Sequence, residues 1–167
     1  MDKYTANGPE TTGMAQSESE SEHTVSFAID AESKTATHTV VEARDFEFSI
    51  DEPTNMGGTN AGPNPVEYLL GALAGCLNVV GHEVAEEMDL TVKNIAVDIE
   101  GELDPRKFMG HSEEPRAGYQ DVQVEMTVDS PADEAELATW LETVEQRCPV
   151  SDNLANPTPV NLSVETE

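Results

Sequence analysis

The sequence predicts an α+β fold with the element order β-β-β-α-β-β-α-β, and three observations support this prediction. Several short segments alternate apolar and polar residues, which is the period of a strand that buries only one face. A long segment in the middle of the chain is apolar on nearly every side, and a later one has apolar residues at helical spacing. This order of elements favours an antiparallel sheet that is covered by helices on one face.

The chain has 167 residues, which is enough for one domain with a hydrophobic core. Its first part includes the run SESESE and almost no bulky apolar side chains, so residues 1–22 are predicted to form a disordered acidic tail. Residues 23–167 are predicted to form the folded domain.

Three strands are predicted at the start of this domain. Apolar side chains alternate at Val25, Phe27 and Ile29, and again at Phe46, Phe48 and Ile50. A further strand is predicted between them, around residues 35–41. The segment that follows, residues 51–65, is rich in glycine, proline and asparagine and is predicted to be a loop.

The first helix is predicted to begin at Asn64, a good N-cap, with Pro65 at the first helical position and Glu67 at the third. This pattern is typical of a capping box. The helix is predicted to end near Met88. Because its first five turns are apolar almost all the way round, we expect a long helix buried on every side, at the centre of the fold or in a dimer core.

The rest of the chain is predicted to add two strands, a helix and a last strand. Alternation marks three segments: Ile95, Val97 and Ile99; Val122, Val124, Met126 and Val128; and Val160, Leu162 and Val164. A polar loop at residues 102–118 separates the first two. A helix is predicted to start at Ser130 and Pro131, with an apolar stripe that reaches Cys148, and Pro149 is predicted to open a short further helix.

The chain is strongly acidic, with 34 aspartates and glutamates against 8 lysines and arginines and a net charge of −26. A phosphate backbone or an anionic membrane would be repelled, so neither nucleic acid nor a membrane is an expected partner. The acidic residues are spread through the chain, which indicates a halophile-type protein whose self-repulsion is screened by high internal salt. An acidic protein of a mesophile is the alternative. No secretory signal or long apolar run is visible, so a cytoplasmic location is expected.

Two cysteines are the residues most able to carry chemistry. Cys76 lies in the middle of the predicted buried helix, where it could equally be a small core residue. Cys148 stands where an N-cap would precede Pro149, although it also completes the apolar stripe of the helix before it. If the two helix faces converge on one core, the thiols could lie within disulfide reach. One thiolate would then attack a peroxide bond, and the other thiol would resolve the sulfenic acid as a disulfide.

The segment NPVEYLLGALAGC, followed by a second cysteine in EQRCPVSDNL, resembles the pattern of the OsmC/Ohr family. The resemblance covers about residues 23–167 and implies the element order given above. It also implies an intertwined homodimer with its active sites at the interface, and the reduction of organic hydroperoxides by thiols without a cofactor. By resemblance, Cys76 would be the peroxidatic residue and Cys148 the resolving one, with a cellular dithiol as the reductant.

The sequence departs from the family pattern just after the helix-initiating proline. Peroxidase members have a glutamate at that position, paired with an arginine, whereas this chain has Val66 there and its glutamate one residue later, at Glu67. The spacing from Glu67 to Cys76 places the two on opposite faces of the helix. Glu67 is therefore a candidate catalytic residue, and a role as a helix cap is the simpler interpretation.

Arg44 is the candidate catalytic arginine by resemblance, because the family arginine comes from the region of the N-terminal strands. Arg147, next to Cys148, could also lower a thiol pKa. An ordinary ion pair is the alternative for both arginines.

Neither a metal site nor a phosphate site is predicted. The four histidines lack the close spacing of ligand pairs, and no glycine-rich loop follows a strand. Besides peroxidase activity, the two cysteines leave two functions open. One is an OsmC-like protein with an apolar dimer-interface pocket that binds a ligand or senses redox state without catalysis. The other is a protein whose cysteines form a structural disulfide.

Overall fold

The computed structural model describes residues 23–166, so the predicted tail at residues 1–22 lies outside the described residues. In chain order the elements are β1 (Asp30–Ser33), β2 (Thr39–Ala43), β3 (Phe46–Ile50), a 3-10 turn (Thr54–Met56), α1 (Pro65–Glu87), β4 (Asn94–Glu102), β5 (Asp121–Asp129), α2 (Glu134–Arg147) and α3 (Pro149–Ala155). The fold is α+β, as the sequence predicts. Its strands form two antiparallel sheets, one before and one after α1.

The N-terminal sheet joins β1, β2 and β3 in chain order. Its first strand begins later than predicted, because the ladder between β1 and β2 includes only Asp30–Ser33. The tight turn that follows, closed by a hydrogen bond from the Lys34 N–H to the His38 carbonyl, sets this register. The residues predicted to form the first strand therefore lie before the ladder, and Phe27 is 88% exposed.

The start of α1 has the capping box that the sequence predicts. The Asn64 side chain accepts a hydrogen bond from the Glu67 N–H at 2.9 Å, and the Glu67 carboxylate accepts one from the Asn64 N–H at 2.7 Å. Pro65 occupies the first position, where a helix needs no N–H donor. The helix ends at its C-cap, Met88, also as predicted.

One face of α1 is packed against the rest of the chain and the opposite face is open. The buried residues of the helix are Leu73, Leu77, Gly81, Val84 and Ala85. On the other side, Leu69 is 40% and Val79 is 59% exposed. Within a single chain α1 is therefore buried on one side only, because β4, α2 and α3 pack against that side, and burial of its other side in a dimer core stays a prediction.

By length and composition alone, α1 could also cross a membrane. The core helix of a soluble protein meets the same two criteria. In this chain one face of α1 contacts β4 and α2, as in such a core helix, and the opposite face is open.

The contact between α1 and α2 depends on a glycine. Gly81 lies under Trp140, whose indole N–H donates a hydrogen bond to the Gly81 carbonyl at 2.8 Å. A Cβ atom at Gly81 would lie only 2.7 Å from Ile95 Cδ1 and 3.0 Å from Trp140 Cζ2. The absence of a side chain at this position therefore allows the Trp140 ring to lie on the backbone of α1.

The second sheet joins β4 and β5 where the alternation predicts them. Ile95 faces Val128 and Val97 faces Met126, so the apolar residues of the two strands share one face. This face supports α1 through β4. A separate link connects the N-terminal sheet to α1, because the Tyr68 hydroxyl donates a hydrogen bond to a backbone carbonyl of β3 at 2.8 Å.

The helix α2 begins one turn later than predicted. Asp133 is its N-cap, because the Asp133 carboxylate accepts hydrogen bonds from the N–H groups of Ala135 and Glu136, both at 2.9 Å. The hydroxyl of Ser130 accepts a bond from the turn before the helix instead. α3 begins at Pro149, as predicted.

The predicted last strand, at Val160, Leu162 and Val164, is not formed in the described part of the chain. These side chains are exposed, and Leu162 is 93% exposed. An alternating pattern makes a strand only where a partner edge is available for its backbone hydrogen bonds. Within residues 23–166 this segment has no such ladder.

Candidate functional site

The two cysteines are in contact where α1 meets the junction of α2 and α3. The Cys148 thiol donates a hydrogen bond to Cys76 Sγ, and the two sulfur atoms are 2.9 Å apart. Both cysteines are free. A disulfide has a sulfur separation of about 2.05 Å, so an oxidant could convert the pair to a disulfide with a relative shift of roughly 1 Å.

The packing of α1 on α2 brings the thiols together. Leu73 and Leu77 of α1 belong to one hydrophobic cluster with Val144 and Cys148, and Cys76 packs against that cluster. Cys148 is 1% exposed, whereas Cys76 is only partly buried. Because Cys148 follows Val144 by about one helical turn, the apolar stripe of α2 carries the second thiol into the core.

Cys148 has both of the local roles that its position in the sequence suggests. Its N–H donates a hydrogen bond to the Val144 carbonyl at 3.1 Å, which completes α2. Its sulfur accepts a hydrogen bond from the Ser151 N–H at 3.4 Å, which makes it the N-cap of α3. The orientation of the thiol is therefore set by the two helices that it joins.

Burial raises the pKa of the Cys76 thiol above its ordinary value, and the hydrogen-bonded thiol of Cys148 raises that pKa further. The backbone N–H of Val150 acts in the opposite direction and lowers the pKa of Cys76. No lysine or arginine of residues 23–166 is among the groups that shift this pKa. The single chain thus holds the thiols ready for disulfide formation but does not favour the Cys76 thiolate.

The Glu67 carboxylate accepts the hydrogen bond from the Asn64 N–H at the start of α1, and Glu67 is not among the groups that shift the pKa of Cys76. It has the capping role that the sequence favours. Burial, and then the charge of Glu67, raise the pKa of the Tyr119 hydroxyl. That hydroxyl donates a hydrogen bond to the Val66 carbonyl at 2.9 Å and ties the loop before β5 to α1.

The two candidate arginines have partners away from the thiols in the described chain. Arg44 lies in the turn between β2 and β3 with a φ of 57°, and its guanidinium lies over the Phe46 ring, 5.2 Å from the ring centre. Arg147 forms an ion pair with Glu87 at 2.5 Å, which joins the last turns of α2 and α1. Arg147 therefore makes the ordinary ion pair, and the structure does not bring Arg44 to Cys76 within one chain.

Asp51, at the end of β3, is a buried carboxylate that the sequence patterns do not reveal. Its Oδ2 atom accepts hydrogen bonds from the hydroxyl and N–H of Thr59, at 2.6 and 2.8 Å, and from the N–H of Ala61 at 3.1 Å. The Thr59 hydroxyl is the main cause that holds the pKa of Asp51 well below its ordinary value. Asp51 therefore fixes the loop that leads into α1.

No group of three or more histidine, cysteine, aspartate or glutamate side chains in residues 23–166 is arranged to hold a metal ion. His38 has a different partner, because its Nε2 atom is hydrogen-bonded to Ser49 Oγ at 3.0 Å. The thiol pair is therefore the arrangement in the described residues with the clearest chemical capacity.

Comparison with protein families matches residues 58–163 to the family described as OsmC-like protein. The match extends over both cysteines and every element from α1 to α3. No curated protein matches the sequence.

Several solved structures resemble this chain at low sequence identity. An OsmC-like protein from Mycoplasma pneumoniae is 19% identical, with a TM-score of 0.68 over 78% of this chain and 88% of that chain. An organic hydroperoxide resistance protein OsmC from Legionella pneumophila is 17% identical, with a TM-score of 0.57 over 78% and 89%. A putative organic hydroperoxide resistance protein from Vibrio cholerae, with captopril bound in one of its active sites, is 18% identical, with a TM-score of 0.57 over 80% and 88%. At these identities the likeness concerns the fold alone.

Proposed function

The chain belongs to the OsmC-like protein family, and on this premise we propose that it is a thiol-dependent peroxidase that reduces organic hydroperoxides. The observation that supports the proposal is the 2.9 Å separation of the Cys76 and Cys148 sulfur atoms beside a hydrophobic core. Proteins named organic hydroperoxide resistance proteins share the fold. The setting that we propose is oxidative-stress defence in the cytoplasm.

The proposed reaction has three steps. The Cys76 thiolate attacks the O–O bond of the hydroperoxide, that bond breaks, the leaving oxygen takes up a proton to give an alcohol, and Cys76 becomes a sulfenic acid. The Cys148 thiol then attacks the Cys76 sulfur, which forms the disulfide and releases water. A cellular dithiol reduces this disulfide by exchange, which restores both thiols and leaves the reductant as a disulfide.

The difference in burial supports Cys76 as the attacking residue. Cys148 is enclosed by the helix junction, whereas part of Cys76 remains accessible. A hydroperoxide would therefore meet Cys76 first, with Cys148 behind it in a position to resolve the sulfenic acid. The apolar side chains around the pair favour an organic hydroperoxide over hydrogen peroxide, because they offer no partners for a small polar molecule.

We further propose that the active unit is a homodimer formed through the open face of α1. That face presents Leu69 and Val79, together with Gly71 and Gly75, where an added Cβ would meet nothing within 4 Å. A long apolar helix face of this kind indicates an interaction surface, and glycines allow another backbone to approach closely. A second copy would also be the source of a cation, since Arg44 lies in an exposed turn.

The test is the consumption of cumene hydroperoxide with a dithiol reductant in molar salt. We expect turnover by the wild-type protein, none by Cys76→Ser, and a trapped Cys76 sulfenic acid without turnover in Cys148→Ser. The matched control is Glu142→Gln, an exposed change on α2 that should keep the wild-type rate. A wild-type rate no higher than that of the dithiol alone would overturn the proposal.

A second candidate function is redox sensing or ligand binding without turnover. The raised pKa of Cys76 favours it, because a thiol that stays protonated at neutral pH reacts slowly with peroxides. The same assay separates the two functions. A sensor whose disulfide the dithiol does not reduce would form the Cys76–Cys148 bond with one equivalent of hydroperoxide and then consume no more.

A further inference from the structure

An apolar cleft of 610 Å³ lies between β5 and the two C-terminal helices. Its apolar lining includes Leu73 of α1, Val124 and Met126 of β5, and Trp140 and Leu141 of α2. The volume falls within the range of about 300–1,000 Å³ that is typical of small-molecule sites. The cleft exists because α1 packs against β4 and leaves the apolar face of β5 partly uncovered, with Val124 half-exposed.

The charged residues in the lining of the cleft are both acidic. Asp121 lies at the start of β5, and Glu145 lies on α2 about one turn after Leu141. No lysine or arginine of residues 23–166 is in the lining. A ligand in the cleft would therefore meet apolar side chains and negative charge, with no cation to pair with a carboxylate or a phosphate.

We propose that this cleft binds uncharged apolar molecules, and that Asp121 and Glu145 exclude anionic ones. Binding of an uncharged apolar ligand is favourable because it removes the apolar surfaces of both the ligand and the cleft from contact with water. A ligand carboxylate would lose part of its hydration and would also be repelled by two like charges. The ligands of this site are therefore alcohols, esters and other neutral amphiphiles, and not free fatty acids.

The cleft is distinct from the thiol site, although the two are neighbours. Neither cysteine is in its lining. Ser151 belongs to both sites, since it lines the cleft and its N–H donates a hydrogen bond to Cys148 Sγ. Binding in the cleft does not depend on the proposed peroxidase activity, because it is measured without a peroxide or a reductant.

Trp140 provides the measurement, because it is the one tryptophan of the chain and lines the cleft. The full-length protein would be titrated with octanol and with octanoate, at the lowest KCl concentration at which it remains folded. We expect a saturable change in tryptophan emission with octanol. Octanoate, which has the same chain length, should bind about tenfold more weakly or worse, because of the two nearby carboxylates.

Two double variants with the same change in net charge locate the effect. Asp121→Asn with Glu145→Gln removes the charges of the lining, and octanoate binding should approach octanol binding. Glu125→Gln with Glu142→Gln removes two charges from the same strand and helix outside the lining, and the discrimination should persist. A third variant, Val124→Phe, fills part of the cleft and should weaken the binding of both ligands while the protein stays folded.

The absence of a saturable response to octanol would overturn the proposal, and this is also the result expected if a second copy of the chain fills the cleft. Equal affinities for octanol and octanoate in the wild-type protein would overturn the exclusion of anions. So would a loss of discrimination in the control pair Glu125→Gln and Glu142→Gln, because net charge would then be the cause. Octanol binding without peroxidase turnover would refute the proposed peroxidase function but would support the proposed ligand site.

Discussion

Replacing Gly81 with alanine tests how closely α2 packs on α1. The added Cβ would lie 2.7 Å from Ile95 Cδ1 and 3.0 Å from Trp140 Cζ2. Carbon atoms in contact prefer separations of about 3.5–4.0 Å. The Ile95 methyl is the end of a flexible side chain and can move. Trp140 is fixed by the hydrogen bond from its indole to the Gly81 carbonyl.

Two effects determine the size of the change in unfolding free energy. Inserting a methyl group into a packed core costs about 1–3 kcal/mol. Alanine is more favourable than glycine in a helix interior by about 1 kcal/mol, which offsets part of this cost. Because Trp140 can move only by breaking its buried hydrogen bond, we expect the variant Gly81→Ala to lose about 1–2 kcal/mol of stability.

The assay is urea unfolding followed by circular dichroism in molar KCl, with the slope of the transition compared between variants. The matched control is Gly75→Ala on the same helix, where a Cβ meets nothing within 4 Å. In a single chain the unfolding free energy of this control variant should rise by about 1 kcal/mol. If a second copy covers that face, the Gly75→Ala variant should instead be less stable than the wild type, by an amount that depends on protein concentration. A Gly81→Ala variant as stable as the wild type would refute the close packing at Trp140.

Three further predictions concern charge. Asp51→Asn should speed proteolysis within residues 52–64 at neutral pH. Because the pKa of Asp51 is lowered in the folded state, the stabilisation that it provides is fully present above its unfolded pKa of about 3.9 and is lost as the pH falls toward the folded pKa. In urea unfolding at a series of pH values, the unfolding free energy of the wild type should therefore fall more steeply below about pH 4 than that of the variant. Raising KCl from about 0.1 M to 1 M shortens the Debye length from about 10 Å to 3 Å, so the melting temperature should rise; a constant value would contradict the halophile interpretation. Arg44→Gln should raise the pKa of Cys76, measured by alkylation rate against pH, if Arg44 of a second copy supplies the cation, whereas Arg106→Gln should leave it unchanged, since Arg106 pairs with Asp104.

The starts of the helices could be predicted well because they depend on residues that are close in the chain. Asn64, Pro65 and Glu67 form their capping box within a single turn, and Pro149 opens α3 directly after Cys148. The start of α2 shows the limit of this reasoning. Ser130 is also a good N-cap residue. The helix begins at Asp133 because the Asp133 carboxylate accepts hydrogen bonds from two backbone N–H groups of the first turn.

Features that depend on distant residues could not be predicted from the sequence. The alternation at Val160–Val164 has the period of a strand, but a strand also needs an edge to pair with, and the sequence does not show whether one is free. Similarly, α1 is apolar all round, but composition cannot distinguish burial within one chain from burial against a second copy. The role of Asp51 depends on Thr59 and Ala61, which lie in a loop without any periodic pattern.

The two halves of the proposed chemistry have different structural requirements. Disulfide formation between the Cys76 sulfenic acid and the Cys148 thiol needs only that the two sulfur atoms are close. The packing of α1 on α2 meets that requirement inside one chain. Attack needs a Cys76 thiolate, and within residues 23–166 burial and the second thiol both raise the pKa of Cys76 without a cation to oppose them. This chain has few cationic side chains that could lower the pKa of Cys76, and two of them, Arg106 and Arg147, are already in ion pairs. In the proposed peroxidase, the exposed Arg44 of a second copy would supply the charge that stabilises the Cys76 thiolate.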